Sequence, residues 1–217
     1  MGKTILVTGK ENFLGNEIAQ HFLNQGYQVA AAASPRKEAA QTADREHRLV
    51  HFSWSGASPA AAKNLILQTI QNFDSLDEAW LVISPERESY ALTDLGPPAI
   101  DGGLDTVKGT LYLVRELLNR NAVQPLTLRF VFFDEDPAGL PPLAAIQYQG
   151  LRGLVTSLLS QAKKRGLSVW AYETLIPRAD EYASYILSSK APAPGRWNVL
   201  GERRSLVNSL FSRKENA

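Results

Sequence analysis

Short apolar runs alternate along this chain with longer stretches in which apolar residues recur every three or four positions. The short runs predict strands at Thr4–Thr8, Gln28–Ala33, Arg48–Phe52, Ala79–Ser84, Arg129–Phe133, Ser168–Tyr172 and Trp197–Leu200. Between them, Leu14, Ile18, Phe22 and Leu23 share one helical face, and the same periodicity predicts helices at Ala60–Asn72, Asp101–Asn119, Pro142–Lys163 and Glu181–Ser189. Regular alternation of this kind predicts an α/β fold. Parallel neighbours need long crossovers, and each face of the sheet must be covered, so a doubly wound parallel sheet of about seven strands with helices on both faces is expected. No repeat or low-complexity linker interrupts the pattern. The Pro/Ala/Gly stretch Ala191–Gly195 is short enough to be a loop before the last strand, and residues 1–217 are read as a single domain.

Composition narrows the function classes. With 44% hydrophobic residues in a chain of 217, there is material for one sizeable core. The absence of cysteine excludes disulfides and thiolate metal sites, and His21, His47 and His51 are too dispersed to suggest a zinc cluster. A net charge of +1 with mixed signs gives no footprint for nucleic acid, and no apolar run reaches the roughly 18 residues of a membrane span. The N-terminus enters a strand pattern directly, and Leu6 stands where a myristoylation site would need Ser or Thr, so a cytoplasmic protein is expected.

The first strand-turn-helix carries the most informative motif, Thr8-Gly9-Lys10-Glu11-Asn12-Phe13-Leu14-Gly15. A dinucleotide-binding turn of the Rossmann type uses one glycine for the tight bend, one where backbone meets pyrophosphate, and one where helix packs on strand. Gly9 and Gly15 fill the first and third places. Phe13 fills the second, where a benzyl group is expected to occupy the pyrophosphate space or to reshape the turn. Gly2-Lys3-Thr4 precedes the strand and lacks the glycine loop of a nucleotide-triphosphate site.

This turn resembles the opening of the short-chain dehydrogenase/reductase family, and the resemblance runs along nearly the whole chain. Phe73-Asp74-Ser75-Leu76-Asp77 followed by Trp80-Leu81-Val82 is similar to the family's entry into its fourth strand, although Ile83-Ser84-Pro85-Glu86 replaces the Asn-Asn-Ala-Gly stretch that follows there. The resemblance implies an NAD(P)-binding oxidoreductase fold with Gly9, Lys10, Phe13, Gly15, Ser34 and Arg36 as the cofactor-side residues. The second strand ends at Ala33-Ser34-Pro35-Arg36-Lys37 with no acidic residue to bond a ribose 2′-hydroxyl, so NADP is the dinucleotide favoured if one binds; the other expectation is that no cofactor binds.

For chemistry, the family uses a tyrosine proton donor, a lysine four residues later, a serine and an upstream asparagine. Tyr148-Gln149-Gly150-Leu151-Arg152 is the matching segment, with Arg152 in the lysine's place and on the same helical face as Tyr148. Arginine keeps the charge but cannot relay a proton. Arg129 to Gln149 contains no Ser or Thr, Thr106 stands in the asparagine's place, and Tyr172-Glu173-Thr174-Leu175-Ile176-Pro177 replaces the family's Pro-Gly turn and covering segment. Asp134, Glu135 and Asp136 are read as a solvated acidic loop. Apolar seams at Leu104, Val107, Leu111, Val114 and Leu118, and at Leu151, Leu154, Leu158 and Ala162, coincide with the helices through which the family forms its subunit interfaces. The resemblance therefore implies a homo-oligomer, or a hetero-oligomer with an intact relative, through 101–119 and 142–163. Leu206, Val207, Leu210 and Phe211, between Arg203-Arg204 and Arg213-Lys214, suggest a terminal amphipathic helix. The losses accumulate in one direction and favour a non-catalytic partner subunit or scaffold of an oxidoreductase complex. The alternatives are an NADP(H)-dependent carbonyl reductase using Tyr148 and Arg152, and a dinucleotide sensor.

Overall fold

The computed structural model describes residues 2–34, 48–56, 58–85, 87, 91–188 and 194–201. Arg36, Lys37, His47, Glu86, most of the loop Ala191–Gly195 and the apolar set Leu206, Val207, Leu210 and Phe211 with its flanking basic pairs lie outside these described residues.

The strands are β1 (Thr4–Thr8), β2 (Gln28–Ala33), β3 (Leu49–Ser53), β4 (Glu78–Ile83), β5 (Thr127–Phe132), β6 (Ser168–Thr174) and β7 (Trp197–Leu200). The helices are α1 (Phe13–Asn24), α2 (Pro59–Phe73), α3 (Pro97–Asn121), α4 (Pro142–Arg165) and α5 (Ala179–Leu187). The expected alternation is borne out: the strands form one seven-stranded sheet in the order β3-β2-β1-β4-β5-β6-β7, every neighbouring pair parallel. This is the Rossmann-type arrangement that β-α alternation dictates. The strand ends differ from the hydrophobic runs where polar residues have partners. β4 begins at Glu78, whose carboxylate pairs with Arg129 on β5, and β5 begins at Thr127, opposite Glu78.

Period-two alternation divides the core. Leu6, Ala30, Leu81 and Phe130 face α2, α3 and α4, whereas Ile5, Val7, Val29 and Val82 face α1 and α5. Proline in the first turn starts α2, α3 and α4, because its missing N–H falls where a helix has no acceptor to offer. Ser58 caps α2 by accepting from the Ala61 N–H at 3.2 Å. Left-handed Gly166, after the basic run Lys163–Arg165, closes α4.

On α3 the seam read from spacing is rotated. The buried row is Thr110, Leu113, Val114 and Leu117, while Leu104 and Leu111 are 37% and 41% exposed. Gly109 causes this by packing backbone to backbone on the loop after β3, where a Cβ would stand 2.3 Å from the Cα of Gly56. Among the described residues no helix is long and apolar enough to cross a membrane, and no group of His, Asp and Glu is placed to hold a metal ion.

Candidate functional site

Between β1 and β4 the strand order reverses direction, and the crossovers from their carboxyl ends leave in opposite directions. A crevice opens there by topology alone. The cleft at this point has a volume of about 790 Å³, within the usual range for small-molecule sites, and is lined by Thr8 at the end of β1, Gly9 after it, Ser34 after β2 and Ser84 after β4. Its far wall comes from α3 and α4, including Thr106 and Gln147. Gln147 Nε2 donates to the Gly103 carbonyl at 3.0 Å and ties these helices together beside the cleft.

The β1–α1 turn has the geometry its glycines imply. Gly9 has φ +70°, which L side chains rarely adopt, and a Cβ on Gly15 would lie 2.1 Å from the Gly9 carbonyl oxygen, so α1 can approach the turn only because that side chain is absent. Asn12 begins the helix without a side-chain cap, and its own N–H donates to the Gly9 carbonyl at 2.9 Å. The first N–H groups of α1 therefore retain anion-binding capacity at the edge of the cleft. Phe13 neither fills the cleft nor distorts the turn, contrary to expectation. It is 52% exposed and lines a separate shallow depression with Glu17 of α1 and Ala183 of α5.

The other cofactor-side residues are divided by the fold. Ser34 lines the cleft, and its N–H donates to Glu11 Oε1 at 3.3 Å. Lys10 and Gly15 do not line it. Lys10 is buried, with Nζ 3.2 Å from His51 Nδ1 on β3, and loss of hydration lowers its pKa. Thr106 does line the cleft, but its carbonyl accepts from the Thr110 hydroxyl at 3.0 Å within α3.

Tyr148 and Arg152 meet a residue that spacing on α4 did not reveal. Glu173 of β6 accepts from the Tyr148 hydroxyl at 3.3 Å and holds Arg152 in a two-pronged ion pair, Nε to Oε1 at 3.0 Å and Nη2 to Oε2 at 3.1 Å. The Arg152 guanidinium also lies over the Trp197 ring, 4.9 Å from its centroid. Tyr148 is 1% exposed, packs edge-on against Phe132, and is absent from the cleft lining. Burial and then the Glu173 carboxylate push its phenol well above its ordinary value near 10, against the smaller opposing effect of Arg152. A second carboxylate adds to this. Asp134 is buried rather than solvated: it pairs with Arg87, accepts from the Asp136 N–H at 2.7 Å, and also raises the Tyr148 pKa. Only Glu135 and Asp136 of that run are exposed. The cation that should favour a phenolate is thus matched by an anion at bonding distance.

Spacing could have indicated Glu173, because alternation along β6 places it on the side of Val169 and Ala171, the side that receives α4. Glu11 and Trp54, which also line the cleft, had only their positions beside strand ends to mark them.

Several solved structures share this fold over nearly the whole chain. A short-chain dehydrogenase from Bacillus anthracis str. 'Ames Ancestor' superposes with a TM-score of 0.72 at 15% identity, covering 91% of this chain and 94% of its own. A short-chain dehydrogenase from Burkholderia cenocepacia J2315, in complex with NADP, gives 0.69 at 18% identity, covering 92% and 96%. A 3-ketoacyl-(acyl-carrier-protein) reductase from Brucella melitensis, complexed with NADH, gives 0.71 at 14% identity, covering 91% and 96%. No family model and no curated protein matches the sequence. The chain has the fold of the short-chain dehydrogenases/reductases.

Proposed function

We propose that this chain is a degenerate member of the short-chain dehydrogenase/reductase family that does not itself carry out hydride transfer, and that it serves as a non-catalytic subunit or scaffold of an oxidoreductase complex while keeping a dinucleotide-binding cleft. The observation that carries the first part is the Tyr148–Glu173–Arg152 cluster. A general acid needs a pKa near working pH and reach to the reacting atom, and Tyr148 has neither: its phenol is held protonated and sealed behind the cleft wall.

The residues around the cleft fit a dinucleotide. Left-handed Gly9 and the uncapped start of α1 are the groups that would hold a pyrophosphate, Phe13 lies outside the cleft, and Glu11 Oε2 and Trp54 Nε1 are buried polar atoms without hydrogen-bond partners among the described residues. Bound there, a nicotinamide dinucleotide would supply hydride chemistry, but neither Tyr148 nor Arg152 lines the cleft to give or take the accompanying proton. Support for NAD(P) as ligand class also comes from the fold shared with structures bound to NADP and to NADH.

Two measurements test the proposal together. The purified chain is incubated with NADH or NADPH and a panel of aldehydes, ketones and β-keto thioesters, and affinity capture from its native cells is analysed for an intact dehydrogenase. No cofactor oxidation above blank together with a stoichiometric dehydrogenase partner is the expected result. Carbonyl-dependent oxidation that Tyr148→Phe abolishes would overturn it.

A further inference from the structure

The β1–α1 turn carries a carboxylate of which only one oxygen is used to hold the turn. Glu11 follows Gly9 by two residues, and its Oε1 accepts from the Ser34 N–H, which fastens the turn to the end of β2. Its Oε2 is buried, has no hydrogen-bond partner among the described residues, and belongs to a side chain that lines the cleft. Trp54 lines the same cleft: its N–H donates to the Ala33 carbonyl at 2.9 Å, and its indole Nε1 is buried without a partner among the described residues as well. The ends of β1, β2 and β3 therefore gather one orphaned acceptor and one orphaned donor at the same end of the cleft.

A buried carboxylate oxygen without a donor is a costly arrangement that a hydroxyl-bearing ligand relieves and an anionic one aggravates. The end of β2 is where a dinucleotide fold meets the adenosine ribose, and an acidic residue there normally comes from β2 itself. Here β2 ends in Ala33-Ser34, and the acid arrives instead from the neighbouring turn. We propose that Glu11 is the specificity-determining residue of the cleft, accepting from the ribose 2′-hydroxyl and so selecting NAD(H) over NADP(H). The lack of an acidic residue at the end of β2 favours NADP; on this proposal Glu11 favours NAD(H) instead, because a 2′-phosphate would set its charge against a carboxylate that has little water around Oε2.

The inference rests on the dinucleotide reading above, and one experiment separates the two. Titration calorimetry with NADH and with NADPH is run on the full chain and on Glu11→Gln, whose amide oxygen still accepts from Ser34 and preserves the turn. The expected result is NADH binding on the order of tenfold or more tighter than NADPH in the unaltered chain, with the difference collapsing in Glu11→Gln through a gain in NADPH affinity. Equal binding of the two cofactors, or a preference unchanged by Glu11→Gln, would overturn the role of Glu11 while leaving the dinucleotide reading intact. Binding of neither at millimolar concentration would overturn both.

Discussion

Two helical glycines should respond to the same substitution with opposite signs. A Cβ on Gly15 would lie 2.1 Å from the Gly9 carbonyl oxygen, 2.6 Å from its carbon and 3.0 Å from the Lys10 nitrogen, all backbone atoms of the β1–α1 turn. Ordinary contact begins near 3.4 Å, so α1 must lift from the turn by more than 1 Å or the turn must deform. Overpacking of that kind costs about 1–3 kcal/mol, from which the better helix propensity of alanine returns up to about 1 kcal/mol. The backbone atoms struck cannot rotate aside, which places Gly15→Ala toward the upper end, a net loss of about 1–2 kcal/mol. For a chain of this length that lowers Tm by about 2–8 °C. Gly150 on α4 is exposed, and a Cβ there meets nothing within 4 Å. Gly150→Ala should therefore stabilise by about 0.4–1 kcal/mol, raising Tm by about 1–4 °C. Both variants are followed by thermal and urea denaturation alongside the parent. A Gly15→Ala chain as stable as the parent would refute the packing of α1 on the turn, and with it the geometry of the cleft edge.

The remaining predictions concern buried polar groups. Arg129 lies between the rings of Trp80 and Trp170, at 5.0 and 4.5 Å from their centroids, pairs with Glu78, and donates to the Tyr172 hydroxyl at 2.6 Å. Arg129→Met strands the Glu78 carboxylate and should cost about 3–5 kcal/mol in urea unfolding, most of which the double variant Arg129→Met/Glu78→Leu recovers; an additive loss in the double variant would contradict this. The Tyr182 hydroxyl is buried with no partner among the described residues, so Tyr182→Phe should leave stability at pH 7 unchanged or raise it by about 1 kcal/mol, and a clear loss would show that the hydroxyl is hydrogen-bonded. Burial holds the phenols of Tyr182, Tyr148 and Tyr172 protonated in the folded chain above the ordinary tyrosine value of about 10. Their contribution to stability is fully present below that pH and is lost as pH rises through the folded values, so unfolding free energy should fall above pH 10 and fall less steeply in Tyr182→Phe. Glu173→Gln leaves Arg152 unopposed beside Tyr148, and ultraviolet titration against a Tyr148→Phe control should show phenolate appearing at lower pH; an unchanged titration would mean burial alone sets the value.

The pattern of apolar positions determined the order of strands and helices, the parallel sheet and the turn that closes on Gly9 and Gly15, because period and glycine placement are local properties of the chain. Ser34 and Gly9 could be placed near one cleft for the same reason: each directly follows a strand whose neighbours are set by topology. What the sequence could not decide were meetings between side chains distant along it. Glu173 reaches Arg152 across 21 positions, Asp134 is buried because Arg87 covers it from 47 positions away, and Glu11 reaches Ser34 across 23. Period on α3 likewise left its buried row ambiguous, since neighbouring rows of a long helix are both apolar and only the seat of Gly109 on Gly56 chose between them. Charge pairing depends on three-dimensional proximity and on the water removed by packing, neither of which is written in spacing. The tertiary structure alone therefore decided that Tyr148 is sealed and opposed by an anion, and that the carboxylate lining the cleft beside Ser34 belongs to Glu11.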